Sequence, residues 1–211
     1  MHYAAVYAER SKPGEAAQRT TMPFVALPDP ELGPNGGICS MNLNARYGDL
    51  FQMSYITRDL EAALEHCRRE LGLAAFHVSD SEVDVISGGK VQRLAVRAAI
   101  ANIGRRQFEI IQPVSGPIEV YTGAVDLDSH ILNFHHIAIA VRGSLMNWEK
   151  LLEEIRAGGD EIAFEFPAKL GPEAMVCFCY VDTRKRLGHY TEYLWWAPQL
   201  DGMPSFPNLN A

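Results

Sequence analysis

The sequence predicts an α+β protein built from two βαβββ modules, and three observations carry that reading. A short, mostly apolar run with polar side chains near its start occurs twice, as Phe51-Gln52-Met53-Ser54-Tyr55-Ile56-Thr57 and as Phe134-His135-His136-Ile137-Ala138-Ile139-Ala140-Val141. A helix start follows each run at the same distance, with Asp59 seven residues after Gln52 and Gly143, leading into Ser144, seven after His136. Each copy then closes on a strand pattern holding one acid, Phe108-Glu109-Ile110-Ile111-Gln112-Pro113 in the first and Thr191-Glu192-Tyr193-Leu194-Trp195-Trp196 in the second. Gln52 and Glu109 are 57 residues apart, and His136 and Glu192 are 56 apart. A fixed internal period outranks local propensity in deciding a fold, because each copy must form the same unit.

Bulk properties bound the function. At 211 residues, 47% hydrophobic and 21% charged, the chain can bury a sizeable core. A formal charge of −7 without a long basic run argues against nucleic acid or an anionic membrane as partner. No stretch approaches the roughly 20 apolar residues of a membrane span, and the N-terminus lacks an apolar signal core, so a cytoplasmic protein is expected. The four cysteines, Cys39, Cys67, Cys177 and Cys179, have no paired CxxC spacing. Cys177 and Cys179 alternate with Phe178 on one face of a strand, where reduced, buried thiols are expected.

In chain order, residues 1–49 read as a largely irregular N-terminal extension rich in proline, long enough to imply either an element of its own or a task such as lidding a site. The first module spans 50–113. Its opening strand, Phe51 to Thr57, puts Gln52, Ser54 and Ile56 on one face and Phe51, Met53 and Tyr55 against the following helix. That helix starts at Asp59, turns Leu60, Ala63, Leu64, Cys67 and Leu71 inward, pairs Glu65 with Arg69 outside, and stops at Gly72. Ala75 to Val78 is a short strand, Ser87-Gly88-Gly89 a turn, and Val91 to Ile103 a long strand whose alanines leave helix as the alternative. Gln107 to Gln112 is the last strand.

Residues 114–133 link the modules, and the second spans 134–196. Its first strand is followed by a helix from Ser144 with Leu145, Trp148, Leu151, Leu152 and Ile155 inward, stopped by Gly158-Gly159. Strands follow at Ala163 to Phe166 and Met175 to Val181. A solvated hairpin through Arg184-Lys185-Arg186 to Gly188 leads into the last strand, His189 to Trp196, and 197–211 form an irregular tail. His136 shares its strand face with Ala138 and Ala140, leaving room beside it, while Ile137, Ile139 and Val141 face the helix. His135 is the alternative, because a slip of one residue exchanges the faces.

This pattern resembles the vicinal oxygen chelate superfamily, which includes glyoxalase I, methylmalonyl-CoA epimerase and the extradiol ring-cleaving dioxygenases. The resemblance covers about residues 50 to 196. It is carried by Gln52 with Asp59, by Phe108 to Pro113, by Phe134-His135-His136, and by Asp182-Thr183-Arg184 with Leu187 to Glu192. It implies that the modules curl into a cup-like mixed sheet with helices outside, around a divalent metal held by Gln52, Glu109, His136 and Glu192. That set is similar to the one of eukaryotic glyoxalase I and implies metal-assisted proton transfer next to a carbonyl, with Glu192 as base and Glu109 serving the opposite face. Zinc, nickel, cobalt, manganese and iron all suit one imidazole among oxygens. The resemblance further implies a small carbonyl or acyl substrate and a homodimer. Two alternatives are an iron(II) ring-cleaving dioxygenase, which Gln52 disfavours because that chemistry needs two histidines, and a metal-free small-molecule-binding protein of the resistance type.

Overall fold

The computed structural model describes residues 47–104, 106–167, 170–171 and 174–197; the expected N-terminal extension up to residue 46 and the expected tail from residue 198 lie outside them. Among the described residues, eight strands close into one barrel. The first four are β1 Gly48–Ile56, β2 His77–Ser87, β3 Lys90–Ile103 and β4 Arg106–Ser115. The second four are β5 Asn133–Val141, β6 Ile162–Phe166, β7 Val176–Val181 and β8 Tyr190–Trp196. Helix α1, Leu60–Glu70, follows β1 as α3, Leu145–Ala157, follows β5; α2, Glu119–Thr122, lies between β4 and β5, and α4, Arg184–Leu187, between β7 and β8.

The order around the barrel is β1-β4-β3-β2-β6-β7-β8-β5, so each module contributes the same internal order. The first strand of each module pairs in parallel with its last, β1 with β4 and β5 with β8. The modules meet along β1 and β5 in a long antiparallel ladder and again at β2 and β6 through only Ile86–Glu165 and Ser87–Phe164. This is the α+β, paired βαβββ architecture that the repeat predicts. Both modules belong to one chain. No helix among the described residues is long and apolar enough to cross a membrane.

Three apolar clusters hold the layers. The barrel interior packs Phe51, Ile56, Val83, Leu94, Ile111, Phe164, Phe178, Tyr180 and Leu194 with Val120 and Tyr121 of α2. Outside, α3 lays Trp148, Leu151, Leu152 and Ile155 on Ile139, Val141, Tyr193 and Trp195. Helix α1 lays Leu60, Ala63, Leu64 and Cys67 on Ala99, Phe108 and Ile110. Asp59 caps α1 by accepting from the Ala62 amide at 3.0 Å, and Gly72 follows the helix at φ +69°, where a Cβ is disfavoured. Ser144 stands at the N-cap of α3 without a side-chain capping bond. Cys67, Cys177 and Cys179 are free and buried, and burial pushes the Cys177 thiol up to about 12, so these thiols are packing groups.

The strand pattern departs from expectation in four places. Phe51 lies inside the barrel and Met53 is 37% exposed, because β1 carries an irregularity between Leu50 and Gln52 that turns Phe51 inward. The short strand expected at Ala75 to Val78 is instead the 11-residue β2, whose outer face of Asp80, Glu82 and Asp84 is solvated. The Arg184 hairpin is a single helical turn closed by Gly188 at φ +79°. Arg69 pairs with Glu70, and Glu65 with Arg68. For β3, strand prevails over helix, because it is laddered on both sides.

The β1–β5 seam is tight. A Cβ on Gly48 would stand 1.6 Å from the Ala140 carbonyl oxygen. Gly48→Ala is expected to force the strands apart and to cost about 3 kcal/mol in urea unfolding, the upper range for overpacking; a change under about 0.5 kcal/mol contradicts this account of the seam.

Candidate active site

Strand register gathers the polar residues. On β1, Ser54 pairs with His136 of β5 on one side and with Glu109 of β4 on the other. One same-face step along β1, Gln52 pairs with Ala138 and with Gln107, and Ala138 in turn pairs with Glu192 of β8. Residues paired across a ladder point to the same face. Two adjacent rows therefore face the barrel interior, one with His136, Ser54 and Glu109 and the other with Glu192, Ala138 and Gln52. Ala138 leaves its place in the second row open.

All four residues expected at the site are buried, Gln52 at 1%, Glu109 at 3%, His136 at 0% and Glu192 at 5% exposure. His136 Nε2 lies 3.3 Å from a Glu192 oxygen and 3.6 Å from a Glu109 oxygen, so a residue of the second module touches acids of both. Gln52 donates its amide to Gln107 Oε1 at 3.2 Å, which turns its own oxygen away from that bond. Gln52 Oε1 and His136 Nε2 have no hydrogen-bond partner among the described residues. Buried polar atoms are almost always satisfied. Here one of the orphans, His136 Nε2, stands beside two acids, an arrangement that calls for protons or a cation.

The electrostatics agree. Burial, and then the nearby Glu192, push Glu109 up to about 8, with the Ser54 hydroxyl pulling it down; burial pushes Glu192 up to about 8. Burial holds His136 and His135 down to about 3. The interior thus selects neutral forms of all four groups when nothing else is bound.

Ions with bonds of about 2.0–2.2 Å place neighbouring ligand atoms about 3.0–3.5 Å apart. The His136–Glu192 separation of 3.3 Å lies at that spacing and the His136–Glu109 separation of 3.6 Å just beyond it, and the set of two carboxylates, one imidazole and one amide oxygen suits a borderline-to-hard cation. Among the described residues no three His, Cys, Asp or Glu side chains already form a finished cation cage. The side chains thus have suitable chemistry and pairwise spacing without being fully convergent.

Several groups around the site had no signal in the alternation pattern. His135 also points inward, 1% exposed, because β5 bulges: Ser54 pairs with His136 while Tyr55 pairs with Phe134, leaving His135 as the extra residue. Tyr180 stacks beside His136 at 4.6 Å between ring centres, and Tyr121 of α2 lies 5.3 Å from His135. Arg184 sits 4.6 Å above the Tyr190 ring, tied to Asp182, which it holds below the usual carboxylate range. His189 packs on Phe134 at the rim.

No protein-family model matches the sequence. No curated protein matches it either. Similar solved structures include a methylmalonyl-CoA epimerase in complex with methylmalonyl-CoA and NH4+, at 18% identity, covering 75% of this chain and 99% of that one, with a TM-score of 0.44. The methylmalonyl-CoA epimerase of Mycobacterium tuberculosis is 19% identical over 73% of this chain and 91% of its own, with a TM-score of 0.44. A hypothetical protein from Bacillus halodurans C-125 is 19% identical over 71% and 95%, also at 0.44.

Proposed function

We propose that the chain is a metal-dependent enzyme of the vicinal oxygen chelate type, an isomerase, epimerase or lyase that moves a proton next to the carbonyl of a small carbonyl or acyl compound. One observation carries the reading: the bare Nε2 of His136 stands 3.3 Å and 3.6 Å from buried carboxylates belonging to both modules. Gln52, Glu109, His136 and Glu192 are the proposed ligands. A divalent ion held there would supply Lewis-acid polarisation of the substrate carbonyl.

The chain's own residues do the rest. Glu192, on the last strand of the second module, is assigned the base that takes the proton, and Glu109, on the last strand of the first, faces the opposite side. A carboxyl raised toward neutral pH by burial is suited to taking and returning a proton. The aromatic wall of Tyr180, Tyr121 and Phe164 excludes water and strengthens these charges. Val120 and Tyr121 of the linker pack into the interior, so entry of a substrate requires α2 to lift. The resemblance implies a homodimer, and since all four proposed ligands come from one chain, each subunit would carry a whole site.

The test is deuterium uptake. Protein loaded with zinc, nickel, cobalt, manganese or iron(II) in turn is incubated in heavy water with a panel of acyl thioesters and α-hydroxycarbonyl compounds. Exchange at the carbon next to a carbonyl, abolished by a chelator, is the expected result. Oxygen consumption with catechols and no exchange would replace this reading with ring cleavage, and retention of a small molecule without any ion would replace it with a binding protein.

A further inference from the structure

We infer that His135 is a positioning residue for His136: it relays the carbonyl of Val120 in the linker and so decides which nitrogen of His136 is left without a proton. The consequence for metal binding rests on the function proposed above, whereas the hydrogen-bond chain stands on its own geometry.

The chain is fixed from its far end. His135 Nε2 lies 3.0 Å from the Val120 carbonyl oxygen, and a carbonyl only accepts, so this nitrogen carries the hydrogen. His135 is 1% exposed and its ring nitrogens meet a backbone carbonyl and another imidazole; a buried charge without a counter-charge is costly, so the ring is neutral and Nδ1 is a bare lone pair. His135 Nδ1 and His136 Nδ1 are 2.9 Å apart, a contact that needs one donor and one acceptor. Only His136 Nδ1 remains to donate. Its Nε2 is then bare, and Nε2 is the atom beside Glu109 and Glu192. In the opposite tautomer an Nε2–H would face the two acids where a cation would stand; the Val120 carbonyl excludes that state.

The β5 bulge is what makes the relay possible. With regular alternation from His136, His135 would point outward; the extra residue turns both rings inward and brings their Nδ1 atoms together. Metal-ligating histidines normally donate their other ring N–H to a carboxylate, a backbone carbonyl or water. Here the carbonyl acts through a second imidazole, so the linker helix and the proposed ligand are connected by two hydrogen bonds.

Nitrogen NMR of the full-length, chelator-treated protein with labelled histidine tests the relay directly. His136 is expected to be protonated at Nδ1 and bare at Nε2, with His135 the reverse. His135→Phe keeps a ring but removes the acceptor; it should release His136 into mixed tautomers and weaken zinc binding in calorimetry about 10–100-fold. His135→Gln, whose side-chain oxygen can accept from His136 Nδ1, should recover most of that loss. A hydrogen on His136 Nε2 in the wild type overturns the relay, as does a folded His135→Phe chain with the wild-type tautomer and a zinc affinity within about twofold of wild type, well short of the loss expected from a missing orienting partner. If His135→Phe does not fold, the wild-type spectrum and His135→Gln decide. Expected tautomers in a protein that binds no divalent ion would keep the relay and refute the metal reading; tight zinc binding with the opposite tautomers would do the reverse.

Discussion

Glu192→Gln is expected to lower proton exchange at the substrate carbon by about 10²–10⁴-fold, the usual contribution of a positioned base, while the protein still folds. The substitution keeps the side chain's size and supplies an amide N–H that can donate to the bare His136 Nε2, but removes the atom able to take a proton at neutral pH. Because burial favours the neutral carboxyl at this position, an amide there should leave the chelator-treated chain at least as stable at pH 8. Glu109→Gln should leave exchange at one face of the carbon intact if each acid serves its own side. Deuterium uptake and thermal unfolding on the same samples separate loss of the base from loss of the fold. Exchange within about threefold of wild type would remove Glu192 from the chemistry, because a working base contributes far more.

Chelator-treated protein is expected to lose thermal stability between pH 6.5 and pH 8.5, by about 5 °C or more for a chain of this size. Glu109 and Glu192 ionise from an ordinary 4.5 when unfolded but near 8 when folded, so the folded chain holds protons the unfolded one has released. Stability from these groups is complete below 4.5 and is lost as pH rises through 8. His135 and His136 work the other way: held near 3 when folded, against 6.5 unfolded, they weaken the fold as pH falls below 6.5. Above pH 6.5 the carboxylates set most of the slope, and the buried thiols add to the fall in the same direction toward pH 8.5. Saturating zinc should replace the missing protons, flatten the profile and raise stability by about 4 kcal/mol at a thousandfold excess over Kd. A flat profile without metal would mean that the two acids reach solvent or a counter-charge.

The element order and the four polar positions were legible in the sequence because they repeat. Amphipathic spacing located α1 and α3, and the apolar runs located β1, β5, β7 and β8. Alternation failed where one extra residue shifts its phase. Phe51 and His135 are both such residues, both on the β1–β5 seam, and each points inward against a count of two. Alternation therefore posed His135 and His136 as rivals when both face the interior. In β2, Ser81, Val83 and Val85 are buried, but the acids between them kept the expected strand to Ala75 to Val78. Helix α2 has four residues, too few to show a period, and what it contributes to His135 is a backbone carbonyl, which no residue letter encodes.

The most direct test of the central claim is X-ray absorption at the metal edge of protein loaded with one equivalent of zinc and dialysed. The account predicts a retained ion with a single imidazole and an otherwise oxygen shell at about 2.0–2.2 Å, because His135 has both nitrogens committed and the described cysteines lie elsewhere. A sulfur ligand, two imidazoles, or no retained zinc would contradict it.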